Sequence, residues 1–363
     1  MHALSAWGFA YPCRGMGRRM AKPRIVLLSI AAAAALAACV QPLATVVGDA
    51  SKDEIRAITQ LVTSGSVASQ LAPFNTDRCV TTNPTGVLSA EASIVSAFQS
   101  WGYAVTKSAV TVDRAFGIDP STGGFAWVDG PFTMDNLIAE KPGTDPSLRP
   151  VFLSAHYDTM PGTPGADDNG SGCAGVMEAA RVLQAISLRR TVRFIIFGFE
   201  EEGLVGSSAY ANSLSDADLP ESVLNIETAG FTSAREGQVI VAGSLLGLPK
   251  TGDFIGAFGS SRSRALTLDC LSAAQMCAPD LKVYAASADS NLSSDPFLRD
   301  ILRSDQTPFW ERGVPAIMFT DTANLREGSP YHTSQDDVTR IDFEFLTNVI
   351  RTAIAVLCIR AGI

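Results

Sequence analysis

The chain carries three histidines in 363 residues, and two of them, His156 and His332, lie just beyond apolar runs and beside acids. Residues 151–155 (Val-Phe-Leu-Ser-Ala) lead into His156-Tyr157-Asp158. Residues 191–199 lead into Glu200-Glu201-Glu202-Gly203, and Leu224-Asn225-Ile226 leads into Glu227. The run at 315–320 is followed by Asp321 and, a short loop later, by Tyr331-His332. Imidazole nitrogen and carboxylate oxygen are donors that zinc takes at about 2.0–2.2 Å, and catalytic sites leave a position for water. Two histidines and three carboxylates suit two metal ions about 3.5–4 Å apart, with one carboxylate bridging them. A lone histidine is more often structural. Two of them, each in an acid-rich cluster past a strand, favour ligation.

Two simpler readings compete. The stretch Asp168-Asn169-Gly170-Ser171-Gly172 could cradle a phosphate at a helix N-terminus. No lysine follows as in a P-loop, however, and Asp167 and Asp168 would repel the anion. The triplet Glu200-Glu201-Glu202 could be a solvated charge run. It ends the apolar segment Phe194-Ile195-Ile196-Phe197, so at least one carboxylate must point into the cleft at the strand end.

The elements that must position these groups follow from periodicity. Residues 151–155, 192–199, 223–226 and 315–320 read as buried strands. Residues 172–188, 204–214 and 343–359 read as helices between or after them. Upstream, 51–71 is helical in pattern, 73–88 loop-like, and 89–101 an amphipathic helix. A strand is expected near 103–110 and a hairpin-like region at 125–140. The fold class is therefore α/β: a single domain with a mixed, largely parallel sheet covered by helices on both faces. In such sheets ligands bind outside the carboxyl ends of the strands, where the acids and histidines fall.

The first residues read as an address. From Met20, the expected true start, Lys22 and Arg24 precede an apolar run at 25–35 and then Leu36-Ala37-Ala38-Cys39. That order describes a secretory signal over 1–38, and the run is short for a membrane span. The Leu-Ala-Ala-Cys ending resembles a bacterial lipobox, with lipid on Cys39, a tether over 39–50 and the catalytic domain over 51–363. The expected location is the periplasmic or extracellular face of the envelope. The only membrane contact would be through that anchor.

The whole chain has 28 basic and 37 acidic residues, a formal net charge of −9. Removing 1–38 removes five of the bases and no acid, leaving 23 against 37, or −14. So acidic a body argues against nucleic acid as a partner. An oxidising compartment makes a disulfide plausible among Cys79, Cys173, Cys270, Cys277 and Cys358, with Cys270 and Cys277 closing the shortest loop.

Taken in order, His156-Tyr157-Asp158, Asp168-Asn169-Gly170-Ser171-Gly172, Glu200-Glu201-Glu202-Gly203-Leu204-Val205-Gly206-Ser207, Asn225-Ile226-Glu227 and Tyr331-His332-Thr333 resemble the motifs of the co-catalytic dizinc aminopeptidases, metallopeptidase family 28. Each is weak alone; five in order are specific, and the likeness runs from about residue 51 to the end. It implies two zinc ions per chain, held by His156, Asp168, Glu201, Glu227 and His332. Asp168 would bridge them, with a strained peptide to Asn169, and Asp158 would orient His156. Glu200 would be the general base, and Tyr331 would offer its hydroxyl to the oxyanion. The substrates implied are peptides with a free N-terminus.

Two departures stand out. Many members have Asp where this chain has Glu227, and Ser304-Asp305-Gln306 replaces a histidine by Gln306 outside the ligand set. Three rivals share the pattern. A carboxypeptidase would need a basic pocket from Arg303, Arg312 or Arg326. A glutaminyl cyclase would hold one zinc, and a non-catalytic receptor module would have kept only the fold.

Overall fold

The computed structural model describes residues 44–234, 248–288 and 300–363; the expected signal and Cys39 lie outside them. Eight described strands form one sheet: β1 (Val105–Ile118), β2 (Phe125–Lys141), β3 (Val151–His156), β4 (Val192–Phe197), β5 (Ser222–Glu227), β6 (Phe254–Ser260), β7 (Lys282–Ala288) and β8 (Ala316–Thr320). Their spatial order is β1-β2-β4-β3-β5-β8-β6-β7. The central four, β4, β3, β5 and β8, are mutually parallel. β2 joins β4 antiparallel, and β6 joins β8 antiparallel.

Side chains of the central strands alternate between two cores, as the period of two requires. Leu153, Phe194, Ile196, Leu224 and Ile226 pack with α4 (Gly172–Leu183) and the last helix, α8 (Phe343–Ala361). Phe152, Ile195, Phe197 and Val223 pack instead with Ala211 of α5 (Val205–Ser213) and Phe309 of α7 (Thr307–Glu311). The sheet is thus covered on both faces, as the sequence predicts. No helix among the described residues is long and apolar enough to cross a membrane.

Several boundaries move. The helix expected over 51–71 is two, α1 (Asp49–Thr59) and α2 (Ser64–Leu71). Thr63 accepts the Ser66 N–H while the Ser66 hydroxyl accepts from the Thr63 N–H, a capping box that starts a new helix. Part of the expected loop at 73–88 belongs to α3 (Pro84–Ser100), which begins with Asn83 as cap and Pro84 in the first turn. Strands β6 and β7 and the helix between them, α6 (Arg264–Cys277), were not predicted. The suggested Cys270–Cys277 bridge is absent: both thiols are free. Seven residues apart on one helix, they stand about 10 Å apart along its axis, beyond disulfide reach.

Candidate metal centre

Parallel strands deliver their carboxyl ends to one edge of the sheet, and the chemistry collects there. His156 ends β3, Glu227 ends β5, and Glu200 and Glu201 follow β4 after Gly198 and Phe199. Asp168 sits on the turn between β3 and α4, and His332 on the loop after β8. Backbone in sparsely occupied conformations clusters at these points. Phe199 (φ 57°), Thr228 (φ 45°) and His332 (φ 56°) all adopt the left-handed region, which costs a non-glycine residue energy and is typical of functional turns. The Asp168–Asn169 peptide is cis.

Asp168 stands between the two histidines. Its Oδ1 lies 3.4 Å from His156 Nε2, and its Oδ2 lies 3.0 Å from His332 Nε2. Around His156 stand Glu227 Oε2 at 3.3 Å and Glu200 Oε2 at 3.9 Å. Around His332 stands Glu201 Oε2 at 3.3 Å. Two triads result, each with donor atoms close enough to share an ion: His156, Glu200 and Glu227, and Asp168, Glu201 and His332. All five expected ligands and Glu200 are therefore brought together.

The donor set fits metal ions on an independent observation. His156 Nε2 and His332 Nε2 are buried and make no hydrogen bond, an arrangement that costs energy unless a cation completes it. Asp158 Oδ1 faces His156 Nδ1 at 3.4 Å, while its Oδ2 accepts the Glu201 N–H at 3.1 Å. One carboxylate thus stands beside the His156 ring and holds the backbone of Glu201.

Charge crowding shows in the acidities. His332 is pushed up to about 10: burial acts downward, but the Glu201 and Asp168 carboxylates outweigh it. His156 is raised as well, burial being opposed by Glu227 and Glu200. Burial lifts Glu200 well above the carboxylate range, helped by Glu227, Glu201 and Asp305. Asp168 moves the other way, because the adjacent His156 and His332 imidazoles outweigh its burial.

Beneath the ligands lies polar scaffolding. Ser304 Oγ donates to Glu227 Oε2 at 2.7 Å and accepts from Asn225 Nδ2 at 2.8 Å. Asn225 also donates to Gln306 Oε1 at 3.2 Å, so Gln306 supports the glutamate from a distance and takes no ligand position. Asn169 Nδ2 reaches Ile226 O at 2.8 Å and Glu227 Oε2 at 3.3 Å.

Two residues outside the predicted set hold the Asp168 turn. Asp336 accepts the N–H groups of Asp167 and Asp168 at 2.8 and 3.0 Å. Arg78 is fully buried, and its guanidinium donates to carbonyls of Phe74, Thr76, Tyr157, Pro164 and Gly165. It thereby joins the end of β3 to the turn bearing Asp168. Asp336, four residues past His332, offered a faint sequence signal; Arg78, isolated in a loop, offered none.

Tyr331 stacks on His332 (3.7 Å between centroids), and its hydroxyl lies 3.4 Å from Arg303 Nη2. A cleft beside the triads is walled by Phe258, Ile301, Met318 and Leu325, with Arg303 and Tyr331 at its polar side. Of the three arginines considered for a carboxylate pocket, only Arg303 lines this cleft. Arg312 is bound to Ala211 O, Leu214 O and Asp216, and Arg326 is buried against Phe231 O and Phe254 O.

The model of Peptidase family M28 matches residues 136–357, the span that holds every one of these candidate ligands. The chain belongs to that family. It is 31% identical over 225 residues to the aminopeptidase YwaD of Bacillus subtilis, a match covering 59% of this chain but only 42% of that protein. Among solved structures, an aminopeptidase from Aneurinibacillus sp. strain AM-1 superposes with a TM-score of 0.64 at 17% identity, over 85% of this M28 chain and 96% of its own. A glutaminyl cyclase from Porphyromonas gingivalis does so with 0.55 at 18%, over 82% and 98%. These likenesses bear on the fold, an eight-stranded mixed sheet between helices, and leave the choice of reaction to the site.

Proposed function

We propose that this M28 chain is a dizinc aminopeptidase that removes N-terminal residues from peptides. The observation that carries the reading is the Asp168 carboxylate, with one oxygen turned to His332 of its own triad and the other to His156 of the second. Imidazole and carboxylate donors favour zinc over the oxygen-seeking cations. His156 and Glu227 would hold one ion, Glu201 and His332 the other, and Asp168 both. Bound zinc would supply an acidified water and a Lewis acid at the scissile carbonyl.

The chain's own residues do the rest. Glu200, buried beside His156, takes the proton of the attacking water and hands it to the leaving amine. The Tyr331 hydroxyl, braced by Arg303, donates to the oxyanion. The wall of Phe258, Ile301, Met318 and Leu325 receives an apolar side chain at the N-terminus of the substrate, while the carboxylates hold its α-amine. Export, with a lipid tether at Cys39 as the only membrane contact, completes the proposal and places the site where external peptides reach it.

Glu200→Gln is expected to lower turnover by about 10²–10⁴-fold with two zinc ions still bound per chain. Full activity in that variant would remove Glu200 as the base. A panel of aminoacyl-anilides against N-blocked peptides tests the rest. Cleavage of blocked peptides would instead favour a carboxypeptidase, and one zinc with cyclisation of N-terminal glutamine a cyclase.

A further inference from the structure

β1 and β2 are far longer than the sheet needs. Only Leu137–Lys141 of β2 pairs with β4, and the remaining length of the two strands forms a projecting two-stranded arm. One face of that arm is apolar. Phe116 pairs with Trp127 and Ile118 with Phe125. The Phe116 and Trp127 rings stack at 4.1 Å, and the Arg114 guanidinium lies 4.5 Å from the Trp127 ring centroid. Ile118, Phe125 and Trp127 remain 43%, 47% and 41% exposed. Water-facing aromatic side chains at adjacent cross-strand positions mark a contact surface.

The arm is joined to the rim of the metal centre. The Phe116 N–H meets Glu202 Oε1 at 3.4 Å, one residue past Glu201. Ile118 lies against Gly162, where a Cβ would stand 3.4 Å from Ile118 Cδ1. Two residues before that glycine, the Met160 N–H donates to Glu201 Oε1 at 3.1 Å. The order of the strands then sets a direction. The apolar cleft draws on Phe258 of β6 and Met318 of β8, on one side of the ligand-bearing β5, β3 and β4. The arm lies on the other side.

Granting the aminopeptidase reading, a peptide that buries its first side chain over β6 and β8 runs back across β5, β3 and β4. We infer that the aromatic face of the β1–β2 arm is the docking surface for the part of a polypeptide substrate beyond the scissile bond. The chemistry it fits is an extended chain with apolar or aromatic side chains, stacked on Phe125 and Trp127. Dipeptides and anilides end before reaching it.

The test is the full-length, metal-loaded protein carrying Phe125→Ser and Trp127→Ser together, compared on an aminoacyl-anilide and on an aromatic-rich decapeptide with the same first residue. Anilide turnover should be unchanged, while kcat/KM for the decapeptide falls about tenfold through KM. Trp127→Phe alone should retain decapeptide cleavage. Binding of a fluorescent decapeptide to Glu200→Gln, read by anisotropy, should weaken about as much when the two serines are added. Equal loss on both substrates, no loss on either, or a change in sedimenting mass caused by the serines would overturn the inference, the last by making the arm a contact between copies. A wild-type protein that cleaves neither substrate would refute the aminopeptidase reading instead, and the anisotropy result would still decide the arm.

Discussion

Asp336→Asn separates the scaffolding of the Asp168 turn from the ligands themselves. The carboxylate accepts two buried backbone N–H groups, from Asp167 at 2.8 Å and Asp168 at 3.0 Å. Asparagine keeps one acceptor oxygen and turns an NH₂ donor toward the other N–H. One charge-assisted bond is lost, roughly 1.5–3 kcal/mol, and one buried donor is stranded, roughly 1–3 kcal/mol. The two costs overlap, so the net loss is about 2–4 kcal/mol. Part of it falls on global stability and part on the pose of Asp168, whose oxygens face both histidines. Removal of a group that orients a metal ligand typically costs about 10–100-fold in affinity. Zinc affinity, measured by chelator competition, should fall by that factor for both ions, with the folded far-UV spectrum retained. Reduced unfolding free energy with both affinities unchanged would refute the clamp.

Three further outcomes follow from the same geometry. Glu227→Ala removes the carboxylate nearest His156, so metal analysis should show one tightly held zinc per chain instead of two. Arg78→Met strands buried carbonyl groups of the N-terminal loop, of Tyr157 and of the Asp168 turn; urea unfolding should show a loss of roughly 3–5 kcal/mol. Finally, metal-free protein should release protons when zinc is added at pH 8, measured by calorimetry in buffers of different ionisation enthalpy. His332 is raised to about 10, so its imidazole is charged at that pH without metal. The stabilisation from the raised His332 is complete below the unfolded value near 6.5 and fades as pH climbs through about 10. Zinc uptake without proton release would contradict that protonation.

The centre of the sheet was legible because β3, β4, β5 and β8 are buried on both faces and so read as continuous apolar runs. β6, with glycines at 256 and 259, and β7, built largely from alanine and serine, carry too little bulk for such a signal. The candidate ligands were legible because histidine is scarce, and His156 and His332 lie at or beyond the end of a strand. What holds them was not: Arg78, Ser304 and Asp336 act through contacts with residues far away in sequence, which local pattern does not encode. The helix break at Thr63 lay in a capping pair that the apolar periodicity around it masked.

The ligand set is drawn from residues 156 to 332, on strands whose order in space is not their order in the chain. As the polypeptide is made, His156, Asp168, Glu201 and Glu227 emerge long before His332, which follows β8, the strand that pairs with β5. The final donor is therefore made only after all eight described strands. On the proposed reading, hydrolytic competence waits for His332, and a shorter chain carries most of the parts of a protease without being one.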